Sequence, residues 1–325
     1  MKKGIVLLFV SYVLASPSLA QDWQKYAELV EEAKVLYHQK EYLKSGQKYA
    51  EAFVALDNKG LVTDRYNAAC SWALAGERDS AFVQLFKIAQ NADYSDLKHL
   101  ISDSELDSLH SDKRWEELLA LVKANKEKQE ANYDKTLIAI LDTILEEDQK
   151  YRLQFRGVIQ TYGRESEEMK VLTQKTIEAD SINQIKVSEI LDSRGWLGPD
   201  IIGPNGSDAF FLVIQHADLK MQEQYLPMMR EAVKKGHARA SSLAMLEDRV
   251  ALAQGKKQIY GSQIGRDPET DEYYVMPLED PDNVDQRRAE VGLQPLAKYV
   301  ALWNLTWDVE AYKKVLPEME KKQKK

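Results

Sequence analysis

Two stretches near the start of the chain repeat one helical pattern of small and aromatic residues. Ala33 and Ala69, Leu36 and Trp72, and Ser45 and Ala81 each stand 36 positions apart. Residues 23–39 carry Leu29, Ala33 and Leu36 in phase, and residues 41–56 carry Tyr42, Tyr49, Ala52 and Phe53. Residues 64–75 and 78–91 follow with Ala69, Trp72, Ala81 and Leu85. Apolar residues at steps of three and four predict helices. Small residues at the matched positions let two antiparallel helices approach closely, and the aromatic ring fills the groove beside them. Such segments bury their apolar stripes only against neighbouring helices, which commits this half of the chain to stacked helical pairs.

The pattern resembles tetratricopeptide repeats, whose period is about 34 residues. Two repeats are visible, and Ile88 stands where Ala52 predicts a small residue. Tyr66-Asn67-Ala68-Ala69-Cys70 followed by Gly76 resembles the closing repeat of many exported bacterial proteins. The resemblance spans residues 23–125, including a capping helix from Arg114 to Asn125. It implies a helical adaptor that binds another envelope or secreted protein, or a peptide, and it brings no chemistry.

The first residues have the order of a secretory leader: Lys2-Lys3, the mostly apolar run Ile5 to Val13, and the small residues around Ala20. A membrane helix needs about 20 apolar residues, and Ser11 and Pro17 break this run too early. Cleavage after Ala20 is expected, leaving an exported protein, periplasmic or secreted, with no membrane span. The single cysteine, Cys70, excludes an internal disulfide and a lipid anchor at the cleavage junction. With no neighbouring cation or histidine in its helix, it reads as a buried structural thiol. His38, His99 and His110 read as surface residues. Loss of Lys2 and Lys3 takes the formal net charge from −8 to −10. A chain so acidic is a poor partner for nucleic acid or anionic lipid.

The charged stretch from Lys123 to Lys135 reads as a junction. Beyond it Leu137, Ile140, Leu141, Ile144 and Leu145 trace an amphipathic helix, and its stripe continues through Asp148, Tyr151, Arg152 and Phe155. A second long helix over residues 165–191 keeps Leu172, Thr176, Ala179, Val187 and Ile190 in phase, with Asp180 and Asn183 on or beside that face. A buried carboxylate without a partner costs several kcal/mol, so these groups require partners. Asp208 is placed to cap a helix opening at Ala209, and another helix covers residues 239–254. Tyr260 to Ile264 and Tyr273 to Met276 are spaced to pair as a small hairpin. Short helices are expected near 285–291 and 296–305.

The fold class is therefore all-α: residues 21–128 form a short tetratricopeptide-like repeat, and residues 129–325 a helical bundle with a long irregular loop and the hairpin. Polar residues concentrate after the apolar segments of the bundle, as Gln215-His216-Ala217-Asp218, Asp248-Arg249 and Gln258-Ile259-Tyr260-Gly261-Ser262-Gln263. With Asp148-Gln149-x-x-Arg152, Trp196, Arg287-Arg288 and Val291-Gly292-Leu293, this order resembles an uncharacterised family of bacterial domains, frequently exported. Ser262 replaces the threonine of that pattern and keeps its hydroxyl. The resemblance implies a domain boundary and a set of residues, and no activity.

Two readings of these residues stand side by side. In one, His216 is a general base oriented by Asp218 or Asp248, Arg249 holds an anionic group, and Gln215, Gln258, Tyr260 and Gln263 orient a substrate for hydrolysis or elimination. In the other, the same residues form a satisfied polar network pinning the irregular loop, and the protein is an interaction module. No Gly-x-Ser-x-Gly elbow is present, so a covalent serine mechanism lacks support. The glycines at 195–206 are not followed by Lys-Ser or Lys-Thr, and no cofactor is expected. Histidine spacing for a metal is absent; Asp148, Asp180 and Asp248 would complete an oxygen-rich site only if their helices converged on His216.

Overall fold

The computed structural model describes residues 17–267 and 270–323. The charged and apolar parts of the expected leader lie outside these residues. The protein is mostly helical, with fifteen α-helices and one two-stranded antiparallel hairpin among the described residues. The chain divides into two compact units, residues 1–131 and 132–325.

The first unit contains α1 (Pro17–His38), α2 (Tyr42–Ala55), α3 (Val62–Leu74), α4 (Arg78–Asn91), α5 (Leu97–Ser102) and α6 (Lys113–Gln129). Successive helices pack in pairs, α1 on α2, α2 on α3 and α3 on α4, and α6 closes against α4 and α5. Ala33, Ser45, Ala69 and Ala81 are fully buried where the helices approach. Ser45 Oγ donates to the Ala33 carbonyl at 2.8 Å and meets Ser71 Oγ at 3.0 Å. At Gly46 the approach is close: a Cβ there would stand 2.6 Å from the Trp72 ring. Ile88, larger than its counterpart Ala52, is accommodated in the same core with Phe82 and Leu85.

The second unit contains α7 (Lys135–Arg152), α8 (Phe155–Tyr162), α9 (Glu167–Arg194), α10 (Pro199–His216), α11 (Leu219–Lys234) and α12 (Ala240–Ala253). Helix α10 is central, touching α7, α9, α11 and α12. Its run Phe210, Phe211, Val213 and Ile214 fills the core with Leu141, Ile144, Val187, Leu191, Met229 and Leu246. Asp134, Ser166 and Asp218 cap α7, α9 and α11 through the N–H groups of Leu137, Met169 and Met221. Asp208 is not the cap the sequence suggested. The helix already starts at Pro199, breaks at Gly203 (φ 68°) and resumes with Pro204, so Asp208 lies inside it and pairs with Arg239 at 2.8 Å.

Beyond α12 the chain forms β1 (Ile264–Arg266), β2 (Tyr273–Val275), α13 (Val284–Glu290), α14 (Leu296–Val300) and α15 (Val309–Gln323). Ile264 pairs with Val275, and Arg266 with Tyr273. A separate small core of Val275, Leu278, Val284, Leu296, Val300 and Tyr312 supports this part. The first strand begins at Ile264 rather than Tyr260, because residues 258–263 are bound elsewhere. Among the described residues no helix is long and apolar enough to cross a membrane.

Candidate functional site

Four helices of the second unit bring ionisable groups together. Asp148 and Arg152 lie one turn apart at the end of α7, Asp180 in the middle of α9, His216 at the end of α10, and Arg249 on α12. The Asp148 carboxylate is 1% exposed, and its Oδ1 lies 3.0 Å from His216 Nδ1. Gln149 Nε2 donates to its other oxygen at 2.7 Å, and Arg152 Nη1 stands 3.4 Å from Oδ1. Burial pushes the Asp148 carboxyl up, but His216, Arg152 and Gln149 outweigh it and hold the group below the usual carboxylate range. Arg152 grips Asp180 with both Nη atoms, at 2.8 and 2.7 Å, and donates to the Asp148 carbonyl at 2.7 Å. His216 Nε2 carries no hydrogen bond among the described residues. An imidazole with Nδ1 on a buried carboxylate is fixed in orientation and keeps Nε2 for proton exchange.

Arg249 differs from every other arginine of this region. Its Nε is buried with no hydrogen-bond partner, and among the described residues no carboxylate pairs with the guanidinium. Burial lowers its pKa from the ordinary arginine value, Tyr299 opposes that shift, and Arg152 adds to it by repulsion. The Oε1 of Gln215, on the neighbouring α10, is likewise buried and unpartnered.

A second polar cluster has a different purpose. Asp248 is fully buried and accepts the backbone N–H groups of Ile259, Tyr260 and Ser262, at 2.6, 3.0 and 2.9 Å. Burial pushes this carboxyl up, against the pull of the three amides. Gln258, also fully buried, donates to the carbonyls of Gln263 and Met276 and accepts from the Gln263 N–H. Arg288 donates to the carbonyls of Tyr260 and Gln294, both at 2.6 Å, and lies over the Tyr299 ring. Arg287 donates to the carbonyls of Ile259, Glu279 and Asp280. Gly261 takes φ 68° in the middle of this loop, with its Cα face against Leu296. Nearly all these bonds end on main-chain atoms, so the cluster is a clamp for irregular backbone.

Residues 135–312 match a family described as "Family of unknown function (DUF6624)", which is more than half of the chain. The chain belongs to this family. No curated protein and no solved structure matches it. Both polar clusters lie wholly within the DUF6624 segment.

Across the DUF6624 segment the sequence-derived site residues therefore separate. His216 belongs to the ionic cluster, and Arg249 is near enough to Arg152 to be repelled by it. Asp248, Gln258 and Gln263 belong to the clamp, with Gln263 Nε2 on Ser262 Oγ at 2.9 Å, and Tyr260 is held there through its N–H and carbonyl. Gln215 is buried beside His216. The expected partners of His216 are corrected. Asp218 is exposed and caps α11, because it follows directly on the end of α10 and starts the next helix. Asp248 is saturated by three amides. The histidine instead meets Asp148, which lies 68 positions earlier on a different helix. Asp148, Arg152 and Asp180 were marked by their places on apolar stripes, but nothing in their spacing connects them to His216. Asp180 goes to Arg152, so the aspartates do not gather as a metal cage around the ring.

In the first unit Cys70 Sγ, Asp103 and Glu105 lie within 4.8 Å of one another. Tyr66 and Tyr37 donate their hydroxyls to Asp103 and Glu105, and burial pushes the thiol well above its usual range. The surroundings of Cys70 are acidic, which keeps it protonated and unreactive.

Proposed function

We propose that the DUF6624 segment is a binding domain for an anionic ligand, held by Arg249 of α12. The observation that carries this reading is the guanidinium of Arg249: Arg152 has Asp180, Arg287 and Arg288 have backbone carbonyls, and Arg249 has neither among the described residues. A desolvated cation without a partner is costly to fold around, and an anion that binds there recovers the cost. Thermal unfolding of the wild type and of Arg249→Met, with and without added anions at constant ionic strength, tests it. Anion-dependent stabilisation confined to the wild type supports the reading, and its absence overturns it.

A second reading is favoured by the His216–Asp148 contact. An oriented imidazole with a free Nε2 fits general acid–base catalysis of hydrolysis or elimination. His216→Gln separates the two readings, since it abolishes turnover while leaving anion binding at Arg249. The helical pairs of the first unit fit a tetratricopeptide-like adaptor for an envelope or secreted protein. Exposed Trp23 and Val35 on α1 support that role, and the leader pattern before Ala20 supports export.

A further inference from the structure

We infer that the outward face of α9 is an interface between two copies of this chain, paired antiparallel about Ile182. Helix α9 runs for 28 residues from Glu167 to Arg194, with α7, α8 and α10 packed against it. Its inner side is an ordinary core face, on which Leu172, Thr176, Asn183, Val187 and Leu191 are buried. Its outer side carries Val171, Ile182 and Ile185, each more than half exposed. At about 100° per residue these three fall within about 60° of one another, so they form one stripe. An aliphatic stripe left in water on a long helix gains by burial against a partner.

The charges on the same face decide what that partner is. Lys175, Glu178, Lys186 and Glu189 are all exposed and lie within about 40° of Ile182 around the helix. Gln174 donates to Glu178 at 2.9 Å, which leaves the charge of the carboxylate in place. The order of these charges is complementary to its own reversal. Glu178 and Lys186 stand four residues to either side of Ile182, and Lys175 and Glu189 stand seven. A second copy laid antiparallel, Ile182 on Ile182, therefore brings Glu178 level with Lys186 and Lys175 level with Glu189. Two-fold symmetry repeats each pairing. A parallel copy in register would set like charge against like. A patch that complements its own reversal fits the same patch on another molecule, as a two-fold dimer requires. Charges flanking an apolar seam choose the partner and the orientation of paired helices. One helix face is a small interface, so the pair is expected to form at roughly micromolar concentration.

Sedimentation velocity on the full-length protein over a range of concentrations tests the inference. The wild type is expected to dimerise, and the double variant Ile182→Asp with Ile185→Asp to remain a monomer. Two charge variants give the sharper readout. Glu178→Lys with Glu189→Lys makes the four charges all positive, and Lys175→Glu with Lys186→Glu makes them all negative. Each alone is expected to dimerise about tenfold more weakly than the wild type, and an equimolar mixture of the two to recover the dimer. The substituted side chains are exposed, so the variants keep the fold, which circular dichroism checks. Orientation is read by oxidative cross-linking. Ile182→Cys is expected to link to its own copy and Glu178→Cys is not, because antiparallel pairing offsets the two copies of residue 178 by about 12 Å. A monomer at every concentration overturns the inference. So does a dimer that the aspartates and both charge variants leave intact. Cross-linking of Glu178→Cys as readily as Ile182→Cys overturns it as well, since that result requires a parallel pair.

Discussion

His216 Nδ1 lies 3.0 Å from Asp148 Oδ1, joining the last turn of α10 to the last turn of α7. The two partners are unequally buried, the carboxylate almost completely and the imidazole about four fifths. That inequality sets what each contributes. Asp148 is held by three side chains and cannot reach water, while His216 keeps part of its side chain exposed.

Replacing the two residues should therefore have unequal effects. Asp148→Ala removes the shared acceptor of His216, Arg152 and Gln149 and is expected to cost about 3 kcal/mol. His216→Ala leaves Asp148 with Arg152 and Gln149 and is expected to cost about 1 kcal/mol. Urea unfolding of both variants checks the order, and equal losses would remove the distinction between scaffold carboxylate and available imidazole.

Acid stability should carry the signature of Asp148. Burial raises its pKa, but His216, Arg152 and Gln149 bring it below the ordinary value. A carboxyl lowered in the folded state binds its proton more readily when unfolded. Its contribution is complete above the unfolded value of about 3.9 and is lost as the pH falls through the lower folded value. Urea titrations between about pH 5 and about pH 2 should show a shallower decline for Asp148→Asn than for the wild type.

Arg249→Met should be neutral or stabilising, within about 1 kcal/mol, since it exchanges an unpaired desolvated cation for a flexible apolar side chain of similar length. Thermal unfolding in an anion-poor buffer measures it. A large loss of stability would mean that the guanidinium has a structural partner after all.

The loop clamp makes a local prediction. Asp248→Ala strands three backbone N–H groups and should cost about 3 kcal/mol or more. Asp248→Asn keeps one acceptor oxygen and should cost less. Hydrogen exchange should rise first at Ile259, Tyr260 and Ser262, whose amides the carboxylate holds.

In the first unit, Gly46→Ala drives a methyl group into the Trp72 ring, which the buried packing of α2 on α3 does not let move freely. A loss of about 1–3 kcal/mol is expected, read from tryptophan fluorescence during unfolding.

Apolar periodicity made α1 to α4, α7, α9 and α12 legible in the sequence, because helix formation and burial follow short-range spacing, whereas α5, α8, α11 and α15 were not placed. Small residues at matched positions identified the close contacts at Ala33, Ser45, Ala69 and Ala81. Asp148, Arg152 and Asp180 were visible as charges on buried stripes that demanded partners. Turn geometry was less legible. The start of α10 was misplaced because Gly203-Pro204 interrupts a helix that continues on both sides of it, and the hairpin was placed too early because Asp248 captures the amides that a longer strand would have paired.

The sequence by itself determined that this is a helical protein with polar groups set into its apolar faces. Tertiary structure alone decided which of those groups meet. A helical stripe reports burial, and burial requires a partner without naming it. The partner is fixed by how helices far apart in the chain cross. That crossing gave His216 to Asp148, sent Asp248 to loop backbone, and left Arg249 without a carboxylate partner among the described residues.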